Sequence, residues 1–252
     1  MVAQSTILVT GSAGRIGQAV VQELLARGQT VRGLDLVPTP GVADSVVGDI
    51  LSAETVQTAM VGVAALVHLA AIPDDDDFLT RLLPTNIVGV YNVLEAARQA
   101  GVRRVVLGSS GQVVWYQRMR EQYPIGVNVQ PTPRAWYAAT KCFLEAAGIA
   151  LAEGHGRTVI AVRLGWCPRT PEHARELEAT PWGPDVYLSP GDAGRFFAAA
   201  ALAAVPQGYH VLNAASRPRA TTVFDMEPTR ALLGFEPQDV WPHGSEPLLS
   251  RK

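Results

Sequence analysis

The sequence predicts an α/β fold, a doubly wound parallel sheet followed by a small C-terminal lobe. Three observations predict it. Short β-rich runs alternate with helical patterns through the first 165 residues, as in βαβ units whose strands are covered on both faces. A glycine-rich turn joins the first strand to the first helix. After about residue 165 the alternation stops and prolines thicken, as in "WCPRTPEH" and "ATPWGPD". This divides the chain into a core (1–165) and a smaller lobe (166–252) of loops and short helices, with part of the chain returning to the sheet.

Each element follows from its local pattern. "TILVT" (6–10) is an apolar strand, and "RIGQAVVQELLARG" (15–28) repeats apolar residues at helical spacing. "TVRGLD" (30–35) and "SVVGDI" (45–50) are the second and third strands, and "SAETVQTAMVG" (52–62) is a helix. "AALVHLAA" (64–71) is the fourth strand. Residues 78–101 form a long helix, bent or restarted at Pro84 because proline lacks the amide proton. "RRVVLGSS" (103–110) is the fifth strand. A helix from about Arg134 to Glu153 and the strand "RTVIAVRLG" (157–165) complete the series. "GRFFAAAALAAV" is too short to span a bilayer and reads as a buried helix.

Composition excludes several classes. With 48% hydrophobic and 17% charged residues the chain has the makings of a packed core. A net charge of −2 offers no basic surface for nucleic acid. No apolar run reaches membrane-spanning length, and the N-terminus lacks the basic region of a signal peptide. Cys142 and Cys167, the two cysteines, fit free thiols in a reducing compartment. A cytoplasmic location is expected.

"VTGSAGRIG" places Gly11, Gly14 and Gly17 between strand and helix. Such a turn lets the backbone approach a pyrophosphate, and the helix N-terminus offers free amides. Asp35 ends the second strand, where a carboxylate accepts both hydroxyls of a ribose and repels a 2′-phosphate. NAD is therefore expected rather than NADP, although Arg15 in the turn could favour a phosphate. Asp49, in "GDI", reads either as a partner of the adenine amino group or as a loop aspartate.

Tyr137 and Lys141 stand four residues apart on a helix, hence on one face. A phenol titrates near 10. A lysine nearby favours the phenolate, and closing a gap of about 3 units takes roughly 4 kcal/mol. A bound, positively charged nicotinamide could share that task. Ser109 and Ser110 end the fifth strand, where open α/β sheets bind ligands.

On "TGSAGRIG", Asp35, "GDI", "VHLAA", "NIVGVYNVLEAARQAGVRRVVLGSS" and "YAATK", the chain resembles the extended short-chain dehydrogenase/reductases, the NAD-dependent epimerase/dehydratase superfamily. The resemblance implies a Rossmann fold, a nicotinamide cofactor and sugar-like substrates. It implies that Tyr137 is the acid/base. Lys141 would hold the nicotinamide ribose and lower the tyrosine's pKa, and Ser110 would bind the substrate oxygen. It places Gly11, Gly14, Arg15, Ile16, Gly17, Asp35, Asp49, Ile50, Leu69, Ala70, Ala71 and Asn86 around the cofactor. For Asn86 the alternative is a helix amide bonded to backbone. Homo-oligomers pairing the two long helices are common in the family.

"YAATKCFLEAAG", "AVRLGWCPRTPEHARELEA" and "RALLGFEPQD" are similar to the bacterial uronate dehydrogenases, which oxidise the C1 hemiacetal of a uronate to a lactone with NAD. There Arg175 matches an arginine that clamps the substrate carboxylate; the alternative is a surface arginine paired with Glu172 or Glu178. Gly111, Gln112, Pro73 and Trp166 depart from that pattern, so the substrate differs or is held differently. The short chain after Lys141 leaves little room for a nucleotide, and a small free sugar or sugar acid is expected. The alternatives are a sugar epimerase, a carbonyl reductase, or a non-catalytic dinucleotide sensor. Asp74–Asp77 reads as a solvated loop, and His68 as a core histidine. Hydride transfer to a nicotinamide needs no metal.

Overall fold

A computed structural model describes residues 6–249. The first five residues of the N-terminal run and the last three of the lobe lie outside the described residues. The strands are β1 (Thr6–Thr10), β2 (Thr30–Asp35), β3 (Ser45–Val47), β4 (Val63–His68), β5 (Arg104–Ser110), β6 (Thr158–Leu164) and β7 (Gly208–Ala214). They form one sheet in the order β3-β2-β1-β4-β5-β6-β7, and every pairing is parallel. The expected doubly wound sheet is present. The strand order reverses between β1 and β4, which opens a crevice at the carboxyl ends of those strands.

The helices are α1 (Arg15–Ala26), α2 (Ala53–Met60), α3 (Val90–Gln99), α4 (Trp115–Met119), α5 (Trp136–His155), α6 (Pro171–Ala179), α7 (Pro190–Leu202), α8 (Glu227–Leu233) and α9 (Glu246–Leu249). Alternate strand residues face opposite sides. Ile7 and Val9 pack with Val20, Leu24, Phe196 and Phe197 on the α1/α7 side. Leu8 and Leu66 pack with Val93, Leu94 and Leu144 on the α2/α3/α5 side. Helices α1 and α7 meet closely because Gly194 carries no side chain; a Cβ there would lie 2.6 Å from the Ala19 carbonyl oxygen.

One local feature differs from the sequence reading. The helix expected over 78–101 does not restart at Pro84. A wide, π-type helix, Phe78–Gly89, contains Pro84 and runs directly into α3. Asp77 caps its start by accepting from the Thr80 amide at 2.8 Å. Beyond residue 165, the buried helix α7 and the strand β7 join the same sheet and core.

A buried ion pair braces the elements beneath the crevice. Arg163 on β6 contacts Glu145 on α5 at 2.9 Å, with both side chains under a tenth exposed. Ser109 on β5 donates to the same carboxylate at 2.7 Å, and Arg163 also donates to the Val127 carbonyl at 3.1 Å. Nearby in β4, His68 is buried with its Nδ1 2.7 Å from Thr10 Oγ1. Burial, reinforced by the Lys141 charge, lowers its pKa to about 3. It is a neutral core histidine.

Candidate active site

A cleft of about 1460 Å³ follows the carboxyl edge of the sheet. At one end the β1–α1 turn is made possible by glycine. Gly11 has φ +68°, and a Cβ on it would fall 2.7 Å from the Ala70 amide. A Cβ on Gly17 would lie 2.0 Å from the Gly11 oxygen. Bare backbone therefore forms the floor, as a pyrophosphate at a helix N-terminus requires. Asp35 lines the cleft at the end of β2. It accepts one hydrogen bond at each oxygen, from the Ala13 amide at 2.9 Å and the Leu36 amide at 2.7 Å, leaving a lone pair on each for ribose hydroxyls. Arg15 is committed elsewhere. Its Nη2 donates to the Gly244 carbonyl and to Ser245 Oγ, at 2.9 and 3.0 Å. The residues present fit a dinucleotide with a free 2′-hydroxyl.

Further along the edge stand Ser110, Tyr137 and Lys141. Ser110 ends β5 and accepts from the Gln112 amide at 3.1 Å, which starts a short 3₁₀ turn, Gly111–Val114. Helix α5 carries the other two. No side chain of its own first residues caps it; Asp75 does so from a distance, accepting from the Tyr137 amide at 2.9 Å. Lys141 is buried and donates to the Gly108 carbonyl at 2.8 Å. Its Nζ lies 5.7 Å from the centre of the Tyr137 ring.

The charge balance differs from the expected acidification. Burial, together with the Asp74 carboxylate, pushes the Tyr137 phenol up to about 12, against the opposing effects of its hydrogen bond with Ser110 and of Arg169. Burial also pulls Lys141 down to about 8. Desolvation is the largest of these effects on the phenol. The chain's own groups hold the phenol protonated at neutral pH, as a hydrogen-bond donor.

The far end is aromatic. Trp166 follows β6, Trp182 follows α6, and Trp115 opens α4; all three line the cleft. Trp115 and Trp182 meet edge to face, with centroids 5.8 Å apart, and Trp166 lies 6.2 Å from Trp182. Arg118 sits in the corner between Trp115 and Trp182.

Residues 7–166 match the NAD dependent epimerase/dehydratase family. The chain belongs to that family. It is 30% identical to L-arabinose 1-dehydrogenase (NAD(P)(+)) of Haloferax volcanii, over 92% of this chain and 96% of that protein. It is 32% identical to uronate dehydrogenase of Agrobacterium fabrum, over 68% of this chain and 64% of that one. Its fold superposes with a TM-score of 0.77 on a tyrosine-to-alanine mutant of uronate dehydrogenase from Agrobacterium tumefaciens complexed with NAD, at 27% identity, covering 94% and 86% of the two chains. Its fold is that of the extended short-chain dehydrogenase/reductases.

Of the residues that family resemblance singled out, nearly all line the cleft. These are Gly11, Gly14, Arg15, Ile16, Gly17, Asp35, Asp49, Ile50, Leu69, Ala70, Ala71, Pro73, Ser110, Gly111, Gln112, Tyr137, Lys141 and Trp166. Two do not. Asn86 is buried beneath the wall: its amide accepts from the Ile72 amide at 2.8 Å and donates to the Ile72 carbonyl at 3.0 Å and Thr140 Oγ1 at 3.2 Å. It holds a cleft loop to α5. Arg175 is exposed on α6 and pairs with Glu172 at 2.7 Å. Helical spacing explains this, since cleft residues His173 and Glu176 lie on the opposite side of α6 from residue 175 or a full step round from it.

Sequence reasoning missed several cleft residues. Asp74 lines the cleft and forms an ion pair with Arg169; with Asp75 and Asp77 acting as caps, the acidic run is more than a solvated loop. Trp115, Arg118 and Trp182 carry no local signal, because only tertiary packing joins them.

Proposed function

We propose that the protein is an NAD-dependent dehydrogenase that oxidises C1 of a free aldose or uronate to the lactone. The observation that carries this is the meeting of Ser110, Tyr137 and Lys141 in one cleft with the glycine turn and Asp35. Ser110 and the Tyr137 hydroxyl converge on a point where a sugar hydroxyl can accept from one and donate to the other. Tyr137 takes the C1 hydroxyl proton, and general-base catalysis of this kind contributes roughly 10²–10⁴-fold. Bound NAD supplies the hydride acceptor and a positive charge that favours the phenolate. Lys141 holds a ribose hydroxyl, and Asp35 selects the 2′-hydroxyl. Residues 1–165 carry cofactor and catalysis, while 166–252 supply the sugar walls through Trp166, Arg169 and Trp182. The names of the relatives support a free sugar as substrate, and the alignment with the arabinose enzyme spans nearly its whole length.

The same reading extends to assembly and location. A homodimer would cover the exposed Leu79, Val88, Tyr91 and Ile149 on the two long helical segments. Among the described residues no helix is long and apolar enough to cross a membrane, and the free thiols of Cys142 and Cys167 suit the cytoplasm.

The experiment is NADH formation with a panel of aldoses and uronates. Accumulating NADH with lactone as product, lost in Tyr137→Phe, is expected. Bound NAD without net NADH on any sugar would overturn the proposal, and epimerised sugar in that case would identify the reaction instead.

A further inference from the structure

The guanidinium of Arg118 is the feature that the proposed chemistry leaves unused. Its Cζ lies 3.9 Å from the centre of the Trp115 ring and 3.8 Å from that of Trp182. The two indoles are nearly perpendicular, at 86°, so they form a corner around it. The residue is only 6% exposed, and its Nε and Nη2 are buried with no hydrogen-bond partner. No carboxylate pairs with it among the described residues. A desolvated cation with orphaned donors is costly unless something answers it. Cation–π contact with two indoles offsets part of that cost. It acts through the ring faces, however, and leaves the N–H fork unanswered.

The surroundings say what would answer it. Arg118 lines the same cleft as Ser110 and Tyr137. It follows β5, on the opposite side of β4 from the glycine turn, so it belongs to the sugar end and not to the cofactor's pyrophosphate. Other arginines near the cleft are engaged: Arg15 with Gly244 and Ser245, Arg169 with Asp74, and Arg175 with Glu172. Arg134 lies 4.8 Å above the outer ring, Trp115, and adds positive charge without compensating acid. A planar fork in an aromatic corner matches an oxyanion carried by a ring that can lie against the indoles.

Resting on the dehydrogenase reading, we propose that Arg118 is the anion-recognition residue of the sugar end, and that the substrate is an aldose bearing an oxyanion, carboxylate or phosphate, remote from C1. The charge clamp then comes from the segment after β5 and not from α6.

The test compares kcat/KM for D-glucuronate, D-galacturonate and D-glucose 6-phosphate with that for D-glucose and D-galactose, in the parent and in Arg118→Gln. The expected result is an anionic-to-neutral preference in the parent that falls by about 10- to 100-fold in the variant, the range of a charge-assisted pair, with the loss in KM. Uronates leading would identify a carboxylate, and the sugar phosphate leading would identify a phosphate. A parent that prefers the neutral sugars, or a preference that survives Arg118→Gln, overturns the proposal and leaves the dehydrogenase reading standing. If no sugar yields NADH, that reading fails. The subsite is then decided in the parent protein by tryptophan fluorescence, as it is if Arg118→Gln does not fold. A response to D-glucuronate or D-glucose 6-phosphate that D-glucose does not elicit supports it, and equal responses or none overturn it.

Discussion

Lys141 stands over the ring of Tyr137, yet its ammonium is bonded to the Gly108 carbonyl, 2.8 Å away, and not to the phenol. It therefore acts by position: it fixes α5 against the end of β5 and holds a cation behind the phenol. Replacing Lys141 by Met removes the cation but keeps the bulk. The expected outcome is a fall in kcat of roughly 10²-fold or more and weaker NAD binding, both read from initial rates against NAD.

The pH profile follows from the phenol. Tyr137 is protonated through the neutral range, with burial as the first cause and Asp74 as the second. Sugar oxidation should therefore accelerate with pH above 7. Asp74→Asn removes a negative charge and frees Arg169, and both changes lower the phenol's pKa. The alkaline limb of log kcat should move toward neutral by a fraction of a pH unit, since Asp74 is partly solvated. A limb that stayed fixed or moved to higher pH would contradict this.

Gly17→Ala tests the bare floor of the cleft. Alanine is ordinarily worth up to about 1 kcal/mol over glycine in a helix. Here the added methyl would lie 2.0 Å from the Gly11 oxygen, so the turn must open. Loss of NAD affinity of at least about 10-fold, or about 1.4 kcal/mol, is expected by calorimetric titration.

Removing Glu145 by Glu145→Ala strands Arg163 in the core, which typically costs about 3–5 kcal/mol. The thermal midpoint should fall by on the order of 10 °C. Replacing both partners with apolar residues should restore most of it, because no buried charge then lacks a partner.

His68 makes stability acid-sensitive. Its folded pKa is about 3 against 6.5 for the free side chain. Below pH 6.5 the unfolded chain binds a proton that the folded chain refuses, so stability falls as pH drops from 6.5 toward 3. By pH 5 the loss is about 2 kcal/mol. His68→Gln should lose this part of the slope in midpoints measured from pH 7.5 to 5.

What was legible in the sequence was what local geometry forces. The spacing of Gly11, Gly14 and Gly17 is set by backbone crowding, and the Tyr137–Lys141 spacing by the helical repeat. Asn86 and Arg175 were read through resemblance. The structure gives Asn86 a brace between a cleft loop and α5, and Arg175 a surface pair, because neighbouring residues decide where each amide or guanidinium bonds. The sequence indicates that part of the lobe returns to the sheet but not which residues, because β7 is an edge strand whose first residues, Gly208 to Val211, are half-buried and carry no strong alternation. The corner of Trp115, Arg118 and Trp182 joins α4 to a segment more than sixty residues away, and no local pattern announces such contacts.

The tether from Arg15 reaches Gly244 and Ser245, 229 and 230 residues along the chain. The mouth of the glycine turn is thus upholstered by a segment more than two hundred residues further along the chain. An affinity tag, a truncation or a fusion joined near α9 is in effect an edit to the NAD pocket, and a purification handle is better placed where the chain runs remote from that turn.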